Sequence, residues 1–224
     1  MNAIKSIVSW LAGRPALFDS LRWVLEGGFV QHRQIIKSHL SSTGRDVAWK
    51  VLDIGCGTGL YAAHFPANQY VGIDISPVYT NAARSKFPEH RFETGDARQL
   101  TFKGDDFDAA FISGVIHHLT DDDAVAVLKE AIRVIKPSGR LVVWEDIPAP
   151  WWNIVGHVAH RLDLGACIRA ADGYRKLIEH ALSDDSERPA TQPSLHVYTV
   201  RSGFMDYAVF VCDFSAGPAE DQSD

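Results

Sequence analysis

Three carboxylates and three glycines stand in one part of this 224-residue chain at spacings that suit capture of a polar organic ligand. The stretch Val51-Leu-Asp-Ile-Gly-Cys-Gly-Thr-Gly59 sets glycines at 55, 57 and 59 behind an apolar run, with Asp53 two residues ahead of the first. Glycine lets the backbone turn tightly and lets a ligand approach to contact distance. A helix is expected beyond the turn, its N-terminus offering free N–H groups and a positive dipole end to a carboxylate or phosphate. Asp74 closes the next apolar run, Tyr70–Ile73, where an acid can accept both hydroxyls of a ribose. Asp96 follows in Gly95-Asp96-Ala97. Each acid alone could serve a turn or a cap. Together they fall at the carboxyl ends of consecutive strands, the edge where open α/β sheets bind ligands. A dinucleotide fingerprint would be G-x-G-x-x-G, but position 60 is Leu and the third glycine comes one residue early.

His117 and His118 could supply a base for a hydroxyl acceptor, and His118 is the expected base of the two. Their rings equally suit a pocket wall. No carboxylate or third histidine has a matching spacing, so no metal site is expected. Cys56, Cys167 and Cys212 are odd in number and widely spaced, which fits neither a disulfide framework nor zinc; a reducing cytoplasm is expected.

The elements that must position these residues are legible as alternation. Residues 4–40 have helical spacing, broken at Gly27-Gly28. Beyond Trp49, short apolar runs alternate with helical stretches, which indicates a parallel sheet covered on both faces. Strands are expected at Lys50–Ile54, Tyr70–Ile73, Arg91–Glu93, Phe107–Ile112 and Arg140–Glu145. Helices are expected from Pro77 to Phe87, from Thr120 to before Pro137, and over Gly173–Leu182. Leu195–Arg201 and Asp206–Asp213, joined through Gly203, read as an antiparallel hairpin. The predicted fold is a Rossmann-like, doubly wound α/β sheet of seven strands, mostly parallel, with an N-terminal helical extension. One domain spans 1–215: extension 1–45, core 46–147, insertion 148–170, helix and hairpin 171–215. The polar tail 216–224 is expected to be disordered.

A net charge of -6 works against binding a phosphate backbone, where basic surface supplies most of the affinity, so no nucleic-acid partner is expected. Residues 1–50 are nevertheless locally +4. The apolar run Ile4–Ala12 is short and ends at Gly13-Arg14-Pro15, so no secretory leader is expected. No run reaches the ~18 apolar residues of a spanning helix.

With these motifs in order (VLDIGCGTG, YVGIDIS, GDARQL, FDAAFISGVIHHL, VIKPSGRLVVWED) the chain resembles the class I S-adenosylmethionine-dependent methyltransferases over residues 48–146, in particular the type 11 group of quinone-biosynthesis and other small-molecule enzymes. The resemblance implies S-adenosylmethionine as cofactor. It implies that Asp53, Gly55 and Gly57, within a turn closed by Gly59, hold the methionine part, and that Asp74 takes the ribose. Ile75 would pack on adenine, with Asp96 and the Ala97 N–H on its edge. Ser113 and Gly114 would line the reaction centre, and Cys56 would be a small filler. Members of this fold that methylate base amino groups carry an Asn/Asp-Pro-Pro-aromatic motif where this chain has Ser113-Gly-Val-Ile116.

The implied activity is direct displacement of a methyl group onto a small-molecule acceptor, its O, N or C centre undetermined. The competing expectation is a catalytically silent member of the fold that binds cofactor or a partner. Trp23 and Phe29 in the extension, and Trp151 and Trp152 in the insertion, are the candidate acceptor walls, which favours an apolar or aromatic acceptor. Residues 1–30 and 148–165 are expected to cover it, with Gly27-Gly28 as a hinge. The sequence does not set the oligomeric state.

Overall fold

The computed structural model describes residues 14–41, 49–162, 167–183 and 193–215. The helix expected over residues 4–13 and the tail 216–224 lie outside the described residues. Strand β1 (Val51–Ile54) is buried at every position. Leu52 and Ile54 enter the core on one face of the sheet and Val51 on the other. Such a strand belongs in the middle of a sheet covered twice. β2 (Tyr70–Asp74) and β4 (Phe107–Ser113) flank it in parallel, with β3 (Arg91–Thr94) outside β2 and β5 (Ile135–Asp146) beyond β4. β6 (Ser194–Ser202) and β7 (Met205–Asp213) form the predicted antiparallel hairpin, β7 lying against β5. The seven strands run in the order β3-β2-β1-β4-β5-β7-β6.

Six α-helices are described: α1 (Pro15–Leu25), α2 (Val30–His39), α3 (Pro77–Lys86), α4 (Asp121–Val134), α5 (Ile154–Leu162) and α6 (Ala171–Ser183). The apolar sides of α4 and α6 cover one face of the sheet, and those of α2 and α3 the other. The capping signals act as expected. Ser76 accepts from the Tyr79 N–H at the start of α3, where Pro77 needs no partner. Thr120 caps α4, and Asp121, Asp122 and Asp123 in its first turn meet the positive end of the helix dipole.

Two local expectations are corrected. The span from the glycine turn to Pro66 is not an α-helix; only one 3-10 turn forms, Ala62–His64. Pro66 drives Phe65 to extended backbone, and Phe65 must stack on Tyr70 and Phe111, with ring centroids 5.6 and 5.9 Å away. There is accordingly no helix dipole behind the turn. β5 also begins at Ile135, directly after α4, and absorbs Pro137-Ser138-Gly139 as an irregularity in its pairing with β4.

The corner between α1 and α2 fixes the extension in place. Gly27, Gly28 and Phe29 all have left-handed backbone, with φ of 59, 65 and 59°. The corner sits on the hairpin turn at Gly203, where a Cβ would overlap the Gly27 nitrogen and the Leu25 carbonyl. The Phe204 N–H donates to Leu25 O at 2.8 Å and Ser202 Oγ donates to Glu26 O at 2.6 Å. Gly27-Gly28, the expected hinge, is the point at which the extension packs on the hairpin turn.

Candidate functional site

Gly55, at φ 78°, begins the turn after β1, and its N–H and that of Cys56 both donate to Ile73 O on β2. A Cβ on Gly55 would overlap the Val115 side chain. Gly57, at φ 53°, differs: a Cβ there would meet nothing within 4 Å. This open space is a cradle over the turn. Its floor is held by Asp74, whose carboxylate accepts from the Gly57 N–H at 2.9 Å and the Ser76 N–H at 2.8 Å. Burial raises the Asp74 carboxyl above its ordinary range. Beside it Ile75, a large apolar side chain at the sheet edge, is 70% exposed.

Asp53 lies beneath the turn, buried, accepting from the Tyr70 hydroxyl at 2.6 Å. Burial pushes its carboxyl up to about 8, and nearby Asp74 adds to the effect while the Tyr70 bond opposes it. A cation placed above the turn would reverse this shift. Burial likewise pushes the Cys56 thiol up, which makes it a packing residue and no nucleophile. Asp96 stands further out, and its carboxylate meets the Arg98 guanidinium, which also reaches Asp123. The neighbouring Ala97 packs against the core.

The second wall of the edge is built by a residue that the sequence reading passed over. Glu145, fully buried at the end of β5, accepts from the N–H groups of Val115, Ile116 and His117 and from His117 Nδ1 at 2.7 Å. Burial would raise this carboxyl, but the His117 ring and the backbone amides outweigh burial and hold it below the ordinary glutamate value. Arg169 grips the same loop from outside through the carbonyls of Ile116 and Leu119. His117 is therefore buried and oriented, with its Cε1 3.6 Å from where a Cβ on Gly114 would stand. His118 is exposed and its ring lies tilted against that of His117, with centroids 4.1 Å apart.

A buried polar chain joins this edge to the N-terminal helices. Ser113 Oγ and the Tyr61 hydroxyl are 3.2 Å apart, and Tyr61 is 2.8 Å from His32 Nδ1 on α2. Glu26 stands 3.6 Å from the same His32 nitrogen and is paired with Arg22. Burial pushes the His32 ring down to about 4, so it is neutral near pH 7. On α1, Asp19 accepts from the Thr58 hydroxyl of the glycine turn at 2.7 Å. Tyr61, His32, Glu26 and Asp19 carried no sequence signal. A polar residue inside an amphipathic helix looks the same whether it faces water or a buried partner. Glu145 did carry one: it directly follows the apolar run Leu141–Trp144, two residues on from the buried Val143.

The aromatic candidates spread along this rim. Phe29 is buried against His32, with centroids 5.6 Å apart, and Trp23 is 59% exposed. Trp151 is 88% exposed, and Trp152 lies under the Arg201 guanidinium at 4.4 Å. Among the described residues no group of three or more His, Cys, Asp or Glu could hold a metal.

Residues 51–139 match a family profile described as a methyltransferase domain. The turn, the cradle and the acid at the end of β2 fall inside that match. The matched residues are those of a class I S-adenosylmethionine-dependent methyltransferase domain. It is 34% identical over 117 residues to a demethylmenaquinone methyltransferase of Beutenbergia cavernae, covering 51% of this chain and 48% of that one. It is 30% identical over 158 residues to the ubiquinone/menaquinone biosynthesis C-methyltransferase UbiE of Desulfotalea psychrophila, covering 68% and 61%. The chain spans about half to three-fifths of the length of these curated relatives. A solved methyltransferase of Thermotoga maritima, described as a possible histamine N-methyltransferase, superposes with TM-score 0.67 at 17% identity, covering 91% of this chain and 97% of that one. The [4+2]-cyclase SpnF shares the fold at TM-score 0.57 and 19% identity, covering 82% and 80%, so the architecture alone does not fix the reaction. The family's cofactor is S-adenosylmethionine, and the residues present suit it. The cradle at Gly57 admits a backbone-sized group, the buried Asp53 favours a nearby ammonium, and Asp74 and Ile75 offer an acid and an apolar face side by side.

Proposed function

We propose that this protein, in the cytoplasm, transfers the methyl group of S-adenosylmethionine to a small apolar or aromatic acceptor of the quinone-precursor type. The observation that carries the reading is the Gly57 cradle, open above a turn in which Gly55 packs on Val115 and Asp74 accepts from the Gly57 N–H. Asp53 and the backbone of Gly55 and Gly57 take the methionine end, and Gly59 closes the turn that holds them. Asp74 takes the ribose hydroxyls, Ile75 and Ala97 flank the adenine, and Asp96 receives its amino group by exchanging part of its bond to Arg98. Ser113 and Gly114 border the reacting methyl.

The bound cofactor supplies a methyl on a sulfonium, already activated for displacement. The protein's work is then alignment and exclusion of water, and well-oriented reactants gain ~7–11 kcal/mol in barrier reduction. Trp23, Trp151 and Trp152 line the acceptor side, with Phe29 as backing, and the extension and insertion cover it. Where the acceptor must lose a proton, His118 is the base; His117, fixed by Glu145, sets its position. An aromatic acceptor is supported by the named quinone relatives and by the aromatic rim.

The test is thermal unfolding with S-adenosylmethionine, its demethylated product or NAD. At 100 times the dissociation constant a ligand adds ~2.7 kcal/mol, which for a chain of this size raises Tm by about 5–10 °C. A rise with NAD alone overturns the reading. Methyl-labelled cofactor with phenols, demethylated quinones and amines then identifies the acceptor. Binding without transfer to any acceptor would leave a silent member of the fold.

A further inference from the structure

The sheet edge that carries the site also carries the exposed apolar surface. Helix α1 turns Leu17, Leu21 and Val24 outward at i, i+4 and i+7, each at least 40% exposed. Across the docked corner, the loop after β5 shows Trp151 and Trp152. Helix α5 continues the surface with Ile154 at 74%, Val155 at 40% and Val158 at 49% exposure. Phe204, 47% exposed, joins the two areas: its N–H donates to Leu25 at the end of α1, and its carbonyl accepts from Asn153 at the start of α5. The inward side of α5 is small and polar by contrast, with Gly156 and Asn153 buried. Ile154, Val155 and Val158 therefore face the solvent, the reverse of what packing alone would select.

Charge names the occupant. From Ile147 to Leu162 the chain has no acid, while the exposed Arg161 and His157 supply basic groups, in a protein whose net charge is -6. The Arg201 guanidinium, paired with Asp206, lies over Trp152. A helix lying in a bilayer interface carries this combination: aliphatic and Trp side chains toward the acyl boundary and basic groups toward anionic headgroups. We infer that α5, Trp151-Trp152 and the outer face of α1 seat the protein on an anionic lipid surface, with the mouth of the site turned toward the bilayer. This inference deepens the proposed function and rests on it for one point only, that an apolar acceptor reaches the mouth from the lipid phase. Among the described residues no helix is long and apolar enough to cross a membrane, so the contact is peripheral.

The test sediments the full chain with vesicles of phosphatidylcholine alone and of phosphatidylcholine mixed with phosphatidylglycerol, and follows tryptophan emission. We expect binding to the mixed vesicles with a blue shift. We expect partitioning to weaken about tenfold in the double variant Trp151→Ser/Trp152→Ser and again in Val158→Glu. Binding of S-adenosylhomocysteine, measured by calorimetry, separates the two readings: a wild type that binds it but no vesicle overturns the lipid surface and leaves the methyltransferase reading intact, a wild type that binds vesicles but not it does the opposite, and Val158→Glu should keep it while losing the vesicles. Light scattering supplies the other overturning result. A dimer in the wild type that dissociates in Val158→Glu, with no vesicle binding, would make the surface an interface between copies of this chain.

Discussion

Three glycines in one turn carry different burdens, and single methyl groups can separate them. Ala at Gly55 would put its Cβ into Val115, whereas Ala at Gly57 would find open space and face only the left-handed backbone. Gly57→Ala should therefore cost the fold about 1 kcal/mol, yet fill the cradle and remove S-adenosylhomocysteine binding in a calorimetric titration. Gly55→Ala should lower Tm markedly more, because a packed wall has to move. Equal losses of stability, or undiminished affinity in Gly57→Ala, would show that the cradle is not the ligand's seat. Asp74→Ala acts on the same turn from below. It removes the acceptor for two backbone N–H groups and, on the proposed reading, for two ribose hydroxyls, and bonds to a charged acceptor contribute about 1.5–3 kcal/mol each in favourable cases. Affinity for the cofactor product should fall at least tenfold; near-wild-type affinity would take Asp74 out of the site.

At the scale of elements, the sequence made the alternation of strand and helix plain because each strand is a short apolar run bounded by turn residues, and each main helix begins with a cap. Asp74 and the glycine turn were legible for the same reason: chemistry at a strand end follows from where the strand stops. The span 60–69 was not legible, since its apolar residues fit a helix and the pull of Phe65 onto Tyr70 and Phe111 is a tertiary fact. Nor was the clamp between the α1–α2 corner and the hairpin turn, which joins residues 176 apart in the chain through Ser202 Oγ and Glu26 O. Gly203→Ala tests that clamp. A methyl at φ 62° directed into the backbone of Leu25 and Gly27 should cost about 2–4 kcal/mol, combining strain with overpacking. Hydrogen exchange should then accelerate in α1 and α2 while β1 and β4 keep their protection. Unchanged exchange in α1 and α2 would mean that the extension is held elsewhere.

For the whole molecule, two buried groups set opposing slopes in the dependence of stability on pH. His32 has a folded value near 4 against 6.5, so the unfolded chain binds the extra proton and stability is lost as pH falls from 6.5 to 4. Asp53 has a folded value near 8 against 3.8, so the native state holds the extra proton and stability is lost as pH rises from 3.8 to 8. Each contributes a slope of about 1.4 kcal/mol per pH unit inside its window. They oppose each other between 4 and 6.5, and above 6.5 Asp53 acts alone. The advantage of Asp53→Asn over wild type in chemical denaturation should therefore widen from pH 6.5 to 8. In His32→Gln the decline with rising pH should extend down to 4. A constant gap across pH 6.5–8 would mean that Asp53 is ionised in the free protein. Cofactor binding should lower the Asp53 carboxyl by bringing an ammonium near it and should release a proton, read as a buffer-dependent enthalpy in calorimetry.

The seating of Gly27 on Gly203 also sets an order in time. The ribosome makes α1 and α2 first, but the surface that receives their corner is the hairpin turn, made after all of β1 to β5. During synthesis the parallel strands and the glycine turn can assemble while the two leading helices still lack their anchor, with His32 and Glu26 yet to find Tyr61 and Ser202. The cofactor edge is thus built before its cover can be latched. Until the last strands are made, the corner of the extension has no seat.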